Sequence, residues 1–176
     1  MSQNTKSRNH HNKEDLAGEH PKGDLGQLIF LIIFLVVWII DSFVLRFSTV
    51  LTAFIPIYFN IIFMVGFFAI SYFLIINGMK IVFVEVRDPP QVIKKGVFSR
   101  TRHPIYLGSI FIYLGLILMT LSLISLAILG IIFIFYNYIA SHEERLLIKM
   151  FGQDYQDYVN KVPKWLILLK SANFEK

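Results

Sequence analysis

Three side chains that could do chemistry stand together in the segment Arg102-His103-Pro104-Ile105-Tyr106-Leu107-Gly108. They are a guanidinium, an imidazole and a phenol, and the proline lies where a basic loop changes to a long apolar run. Proline suits the first position of a helix, where its missing N–H would have no partner. The residue before a proline is pushed out of the helical conformation, so His103 fits the N-cap. Because helix N-termini attract anions, Arg102 and His103 are candidates for binding a carboxylate or a phosphate.

A second polar cluster, Ser141-His142-Glu143-Glu144-Arg145, follows the next uncharged stretch. Ser141 and Glu144 have the spacing of a capping box, which would open a helix and make Glu144 structural. The capping box does not explain Glu143, which is therefore the candidate functional acid, with a solvated helix face as the alternative. His142 is either a general base or a solvated interfacial histidine.

The chain that positions these residues is apolar. Of its 176 residues 55% are hydrophobic and 16% are charged, against about 25% charged residues in soluble domains. The apolar residues form long blocks rather than periodic stripes, which indicates membrane spans. The absence of cysteine excludes disulfides, thiolate metal sites and cysteine nucleophiles, and we predict no metal site. The net charge of +5 is better explained by charge asymmetry between loops than by nucleic-acid binding.

The order of polar and apolar stretches predicts three regions. Residues 1–24 are polar and should be a disordered tail, because they cannot bury enough apolar surface to fold. Residues 25–76 should form two transmembrane helices. Residues 77–176 should form the functional core, which begins with an irregular loop on the membrane surface.

The core should continue with a short uncharged helical hairpin that turns near residues 120–125. Gly108, Gly115 and Gly130 would let the two hairpin helices approach closely. A C-terminal amphipathic helix, ending near Val162-Pro163, would lie at the membrane interface. The predicted fold is therefore an all-α integral membrane protein with about four transmembrane helices.

The positions of lysine and arginine predict the topology. The N-terminal tail contains four, the first loop one, the middle loop six, the hairpin turn none and the C-terminal tail six. By the positive-inside rule, both termini and the middle loop should be cytoplasmic. The Arg102-His103 segment and the C-terminal helix would then lie on the same side of the bilayer.

The ordered set of motifs resembles the isoprenylcysteine carboxyl methyltransferase family, integral membrane enzymes related to the phospholipid N-methyltransferases. The resemblance covers residues 80–165. The matching motifs are Arg102-His103-Pro104-x-Tyr106-x-Gly108, an apolar hairpin, Glu143-Glu144-x-x-Leu147, and Phe151-Gly152-x-x-Tyr155-x-x-Tyr158-x-x-x-Val162-Pro163.

The resemblance implies transfer of a methyl group from S-adenosylmethionine to a lipidic acceptor, such as the carboxylate of an isoprenylcysteine. A pocket for this zwitterionic cofactor needs a cation or a helix end for the carboxylate and an acid for the ammonium. Catalytic roles fall on Arg102, His103 and Glu143. The cofactor site falls on Pro90, Gln91, Val92, Ile93, Phe98, His103, Pro104, Ile105, Tyr106 and Glu143.

Two departures from the family concern the acceptor. Members that methylate prenylcysteine commonly carry an arginine where this chain has Ile139, and Lys164 replaces an arginine often found after Val-Pro. A carboxylate acceptor needs no general base, whereas an amine must lose a proton, for which His142 or Glu143 is a candidate acceptor. The alternatives are a phospholipid N-methyltransferase, a nicotinamide-dependent reductase of the sterol-reductase type, and a non-catalytic membrane interaction protein.

Overall fold

The computed structural model describes residues 23–84, 91–170 and 172–174. The regular structure in these residues is helical throughout. Most of the predicted tail and the loop residue Pro90 lie outside the described residues. The α-helices are α1 (Gly23–Ile39), α2 (Ile57–Met79), α3 (Pro104–Thr120), α4 (Leu123–Phe151) and α5 (Gln153–Lys161), with π-helical turns at Ile40–Leu45 and Lys80–Val84 and 3₁₀ turns at Val50–Ala53 and Gly96–Ser99.

Three helices are long and apolar enough to cross a membrane: Leu25–Leu45, Ile57–Val82 and Leu123–Phe151. Helix α3 is apolar but has only 17 residues, which rise about 26 Å at 1.5 Å per residue, against about 30 Å of hydrocarbon. The prediction of an all-α, multi-pass integral membrane protein is confirmed.

A buried carboxylate connects the segment after α1 to the turn between α3 and α4. Asp41 accepts hydrogen bonds from the hydroxyls of Ser48 and Ser122, both at 2.5 Å. Ser122 is the N-cap of α4, and Leu121 before it has a positive φ of 49°. The turn therefore falls where the sequence predicted it.

The prediction that glycines bring the two hairpin helices together is wrong. Gly108 of α3 faces α2, where an added Cβ would come within 2.6 Å of Ile75. Ser71 of α2 donates a hydrogen bond to the carbonyl of Gly108 at 2.7 Å. Gly115 likewise faces Phe68 of α2, whereas nothing lies within 4 Å of Gly130. The small residues thus pack α3 on α2.

Large side chains fill the space between α3 and α4. Tyr113 of α3 and Tyr136 of α4 are both buried, and the ring of Phe34 from α1 lies 4.7 Å from the ring of Tyr113. Burial of such rings is a major apolar contribution to packing. This cluster, which also contains Ile110, Ile117, Leu129 and Ile132, holds α1, α3 and α4 together.

Helix α4 continues through the second polar cluster, so the capping-box prediction is wrong. Ser141 lies inside the helix, and its hydroxyl donates to the carbonyl of Asn137 at 2.7 Å. The sequence between residues 123 and 151 contains no proline, and α4 ends only before Gly152, whose φ is +57°. Helix α5 then ends at Lys161, which confirms the predicted end near Val162-Pro163.

Candidate functional site

The start of α3 is held against the chain's C-terminal segment. Pro104 is the first helical residue and His103 the N-cap, as predicted. The N–H of Arg102 donates to the carbonyl of Pro163, and the Thr101 hydroxyl donates to the carbonyl of Lys164, both at 3.0 Å. These bonds bring the segment after α5 against the Arg102-His103 segment, at the same end of the bundle.

Glu144 of α4 is the ionic centre of this end of the protein. Its Oε1 lies 3.1 Å from both Nε of Arg102 and Nε2 of His103, and its Oε2 lies 3.0 Å from Nζ of Lys164. Only 12% of its side chain is exposed. A carboxylate that leaves water needs such partners, so Glu144 is the group that joins the loop, α4 and the tail.

Glu143 faces a different part of the site. Its Oε1 accepts a hydrogen bond from the Tyr106 hydroxyl, and its Oε2 lies 3.7 Å from Nδ1 of His103. Because the Glu144 carboxylate only accepts hydrogen bonds, Nε2 of His103 carries the proton and Nδ1 is an acceptor in the neutral ring. Two acceptors, Nδ1 and Oε2, therefore converge where an ammonium group could donate to both.

Burial keeps His103 neutral. Desolvation lowers the pKa of its imidazole below the ordinary value of 6.5, and the nearby charges of Lys164 and Arg102 lower the pKa further. The carboxylate of Glu144 acts in the opposite direction. His103 is thus an uncharged hydrogen-bonding group near neutral pH.

Aromatic rings enclose His103 on two sides. The Tyr106 ring lies nearly parallel to the imidazole with centroids 5.7 Å apart, and the Trp165 ring lies 5.9 Å away on a tilted plane. Tyr106 in turn stacks on Tyr136 at 5.5 Å. These ring contacts restrict the orientation of the imidazole.

The loop before α3 is fixed to α5. The Tyr158 hydroxyl donates to the carbonyl of Phe98 at 2.7 Å. Burial raises the pKa of Tyr158, which keeps its phenol a donor. Val92 packs on the buried cluster of Tyr155, Tyr158 and Val162. The C-terminal helix therefore meets the predicted cofactor loop.

The structure brings together only part of the predicted site. Arg102, His103, Tyr106 and Glu143 lie in one cluster, and Pro104 beside them in sequence is fully buried next to Gly78 of α2. Phe98 and Ile105 instead lie towards α2: Phe98 packs on the cluster of Leu74, Val97 and Leu107, and Ile105 lies beside Gly78. In the loop Gln91 is exposed, and Val92 and Ile93 are half-buried.

Sequence reasoning assigned Glu144 to a capping box instead of the site, noted Lys164 only as a departure from the family, and gave Trp165 no role at the site. The apolar residues Ile139, Ala140, Leu146 and Leu147 continue the helical periodicity of α4 across the polar cluster without a breaker. That pattern was the available signal against a cap at Ser141. No sequence signal placed Lys164 beside Glu144, because the two meet only through the tertiary fold.

The arrangement suits a zwitterionic ligand. Arg102 and the start of α3 offer donors, and Glu143 with Nδ1 of His103 offers acceptors. Within residues 23–84, 91–170 and 172–174, no group of three or more histidine, aspartate or glutamate side chains could hold a metal ion.

Comparisons with known proteins found one family and one relative that this chain resembles. A profile of the family described as phospholipid methyltransferase matches residues 59–154, more than half of the chain. A protein-S-isoprenylcysteine O-methyltransferase of Saccharomyces cerevisiae is 38% identical over 74 residues, which are 40% of this chain and 30% of the yeast protein. The match thus spans less than a third of that relative's length. No solved structure matches the chain.

Proposed function

The chain belongs to the phospholipid methyltransferase family, and from that membership we propose that it is a membrane methyltransferase that uses S-adenosylmethionine and acts on a lipidic acceptor. The observation that carries the proposal is the meeting of the Arg102-His103 segment with Glu143 and Glu144 of α4. These residues lie about 40 positions apart in sequence, yet they form one partly buried cluster with donors on one side and acceptors on the other.

The residues present fit S-adenosylmethionine. Glu143 and Nδ1 of His103 would bind its ammonium. Arg102 and the N-terminus of α3 would bind its carboxylate. The guanidinium has five N–H donors. Nη1 donates to the Val159 carbonyl at 3.2 Å, and Nε lies 3.1 Å from the Glu144 carboxylate without hydrogen-bond geometry, so the group can neutralise Glu144 and still donate to a ligand. The assignment also includes Pro104 and Tyr106 of α3, and Pro90, Gln91, Val92 and Ile93 for the adenosine part, whereas Ile105 and Phe98 pack towards α2.

S-Adenosylmethionine supplies an electrophilic methyl group on a cationic sulfur. The protein's own contribution is alignment, since an in-line displacement needs little more than correct placement. The stacked rings of His103, Tyr106 and Tyr136 hold one wall of the site and keep it dry. A dry site of low dielectric favours the approach of opposite charges.

The charges of the cluster favour a carboxylate acceptor. Arg102 and Lys164 are two cations, Glu143 and Glu144 are two anions, and His103 is neutral. The net charge of these five side chains is therefore zero. Because the cofactor brings one net positive charge, an anionic acceptor balances the charge of the site, whereas an ammonium would not. An isoprenylcysteine-like carboxylate fits this balance, and it is consistent with the name of the yeast relative.

A phospholipid amine is the second candidate, and the description of the family supports it. An amine acceptor would first have to lose a proton, and His142 and Glu143 are the acceptors that the sequence offers. The proton released by the amine would then add one positive charge to the desolvated site, which is unfavourable.

We also propose that the end of the bundle that carries the site is cytoplasmic. The described lysines and arginines of the loop before α3 and of the C-terminal tail lie at this end, whereas Arg46 lies at the other. The positive-inside rule places the more basic end in the cytoplasm. The acceptor would reach the site from the inner leaflet.

The test is methyl transfer from radiolabelled S-adenosylmethionine by the full chain in nanodiscs. Two acceptors are offered separately: N-acetyl-S-farnesylcysteine, whose amine is blocked and whose headgroup is anionic, and phosphatidylethanolamine in the bilayer. We expect label in the farnesylcysteine methyl ester. Label in phosphatidylethanolamine alone would select the second candidate, and label in neither, together with no binding of S-adenosylhomocysteine, would contradict the proposed function.

A further inference from the structure

The segment after α5 carries a lysine that is fixed beside the site. The Thr101 hydroxyl and the Arg102 N–H bind the carbonyls of Lys164 and Pro163. The backbone of Lys164 is therefore held, and its ammonium lies 2.9 Å from the Ser141 hydroxyl and 3.0 Å from Glu144.

Lys164 is surplus to the neutralisation of Glu144. The carboxylate also has Arg102 and His103 as partners, both at 3.1 Å. If Lys164 turned to another anion, Glu144 would keep a full positive charge and a hydrogen-bond donor beside it. The large penalty for an unpaired buried carboxylate would not arise. A lysine, with its flexible stem and compact charge, is suited to such an exchange.

The neighbour of Lys164 links the site to the bilayer. The Trp165 ring lies 5.9 Å from His103 and 5.2 Å from Phe133, and its N–H donates to the Asn137 side chain at 3.1 Å. Phe133 is 40% exposed and Leu166 is 72% exposed, so an apolar surface continues from Trp165 along α4. Tryptophan is enriched at the boundary between lipid headgroups and hydrocarbon, and Trp165 lies where the polar site meets this apolar surface.

Helix α4 itself does not supply a cation next to His103. Its lysine and arginine, Lys149 and Arg145, are exposed, and Ile139 is a buried apolar side chain. An anion that approaches His103 along the outer face of α4 therefore meets Lys164 of the tail.

From these contacts we infer that Lys164, with Trp165 beside it, is a binding subsite for the anionic headgroup of the lipidic acceptor. The inference rests on the proposed function, of which it specifies the acceptor side. When the headgroup binds, the Lys164 ammonium leaves the Glu144 carboxylate and the Ser141 hydroxyl and pairs with the headgroup anion instead. The hydrocarbon chain then lies along Trp165 and Phe133 towards the membrane.

The experiment compares two amphiphiles that differ only in charge. N-Acetyl-S-farnesylcysteine, whose headgroup carries one negative charge, and its uncharged carboxamide each compete against tritiated N-acetyl-S-farnesylcysteine on immobilised nanodiscs that contain the full chain, with empty nanodiscs subtracted. We expect the wild type to prefer the carboxylate by about 10-fold or more, the usual effect of one charge-assisted contact. Lys164→Gln should abolish the preference, Lys164→Arg should keep it within about threefold, and the control Lys149→Gln should leave it unchanged.

Two results would overturn the inference: no preference for the carboxylate in the wild type, or a preference that survives in Lys164→Gln. S-Adenosylhomocysteine binding is measured on each variant as a check on the fold. If Lys164→Gln and Lys164→Met both lose this binding, Lys164 serves to hold Glu144, and the subsite is also refuted. Failure of the proposed function would look different, because the wild type itself would then not bind S-adenosylhomocysteine.

Discussion

Two adjacent glutamates have different surroundings because consecutive residues of a helix point about 100° apart. Glu143 faces α3, where Tyr106 and His103 meet it. Glu144 faces the loop and the tail, where it binds Arg102 and Lys164. The capping-box spacing separated the roles of the two glutamates for the wrong reason, because the division follows from the elements that pack on each side of α4.

Glu144→Gln should destabilise the protein. The substitution leaves Arg102 and Lys164 close together without the carboxylate between them, and loss of one partner from a buried ion pair costs about 3 kcal/mol. Thermal unfolding in detergent measures the effect.

Asp154→Asn is the matched control for this prediction. Asp154 pairs with Lys94 at the surface, and 58% of its side chain is exposed. We expect a change within about 0.5 kcal/mol, as for other exposed pairs. Equal effects of the two substitutions would show that Glu144 is not the ionic centre of the site.

The lowered pKa of His103 predicts that stability falls as the pH drops below 6.5. The unfolded chain binds a proton at pH values below 6.5, whereas the folded chain does not until the pH reaches the lower, folded pKa. Within that window stability therefore rises with pH, and above 6.5 the effect disappears. Unfolding temperatures at pH 7.5 and 5.5 should differ more for the wild type than for His103→Gln. An equal loss in both proteins would mean that His103 is not the group responsible.

At the scale of elements, α3 is positioned by two different kinds of contact. Its glycines pack closely on α2, whereas bulky rings separate it from α4. The close contact fixes the helix, and the wider contact leaves room at its N-terminus for Tyr106, His103 and Glu143 to meet. The sequence predicted small residues for close packing, but periodicity identifies a helix face and does not identify the helix that covers it.

Gly108→Ala should destabilise the protein by about 1–3 kcal/mol, the range for overpacking in a core. The added Cβ would meet Ile75 at 2.6 Å and the Ser71 carbonyl at 3.2 Å. The control is Gly130→Ala in α4, where nothing lies within 4 Å. Because alanine is the better helix former, the control should be neutral or slightly stabilising in thermal unfolding. A larger loss in the control than in Gly108→Ala would place α3 against the wrong helix.

For the whole molecule, the sequence predicted the architecture better than the site. Long apolar blocks define spans by length alone, and the Pro104 start of α3, the hairpin turn and the end of α5 all follow local rules of helix termination. The ionic centre at Glu144 could not be found in this way. It joins residues 102, 103, 144 and 164, and only the packing of loop, helix and tail brings them together.

The fold predicts which loops share a side of the membrane. The chain contains no cysteine, so single cysteines can be introduced at the exposed positions Lys95, Lys170 and Thr52. In sealed vesicles of known orientation, an impermeant maleimide should label Lys95→Cys and Lys170→Cys from the cytoplasmic side and Thr52→Cys from the opposite side. Labelling of Lys95→Cys and Lys170→Cys from different sides would contradict the four-span topology.

The central claim is that the Arg102-His103 segment and Glu143 form the two halves of one cofactor site. Calorimetric titration of the solubilised protein with S-adenosylhomocysteine, and separately with NADPH, tests it most directly. We expect the protein to bind S-adenosylhomocysteine but not NADPH, and we expect about 10-fold or more weaker binding in both His103→Ala and Glu143→Gln, the usual effect of losing a charge-assisted contact. The control Lys149→Gln should bind like the wild type. Undiminished binding in both site variants, or binding of NADPH alone, would contradict the account.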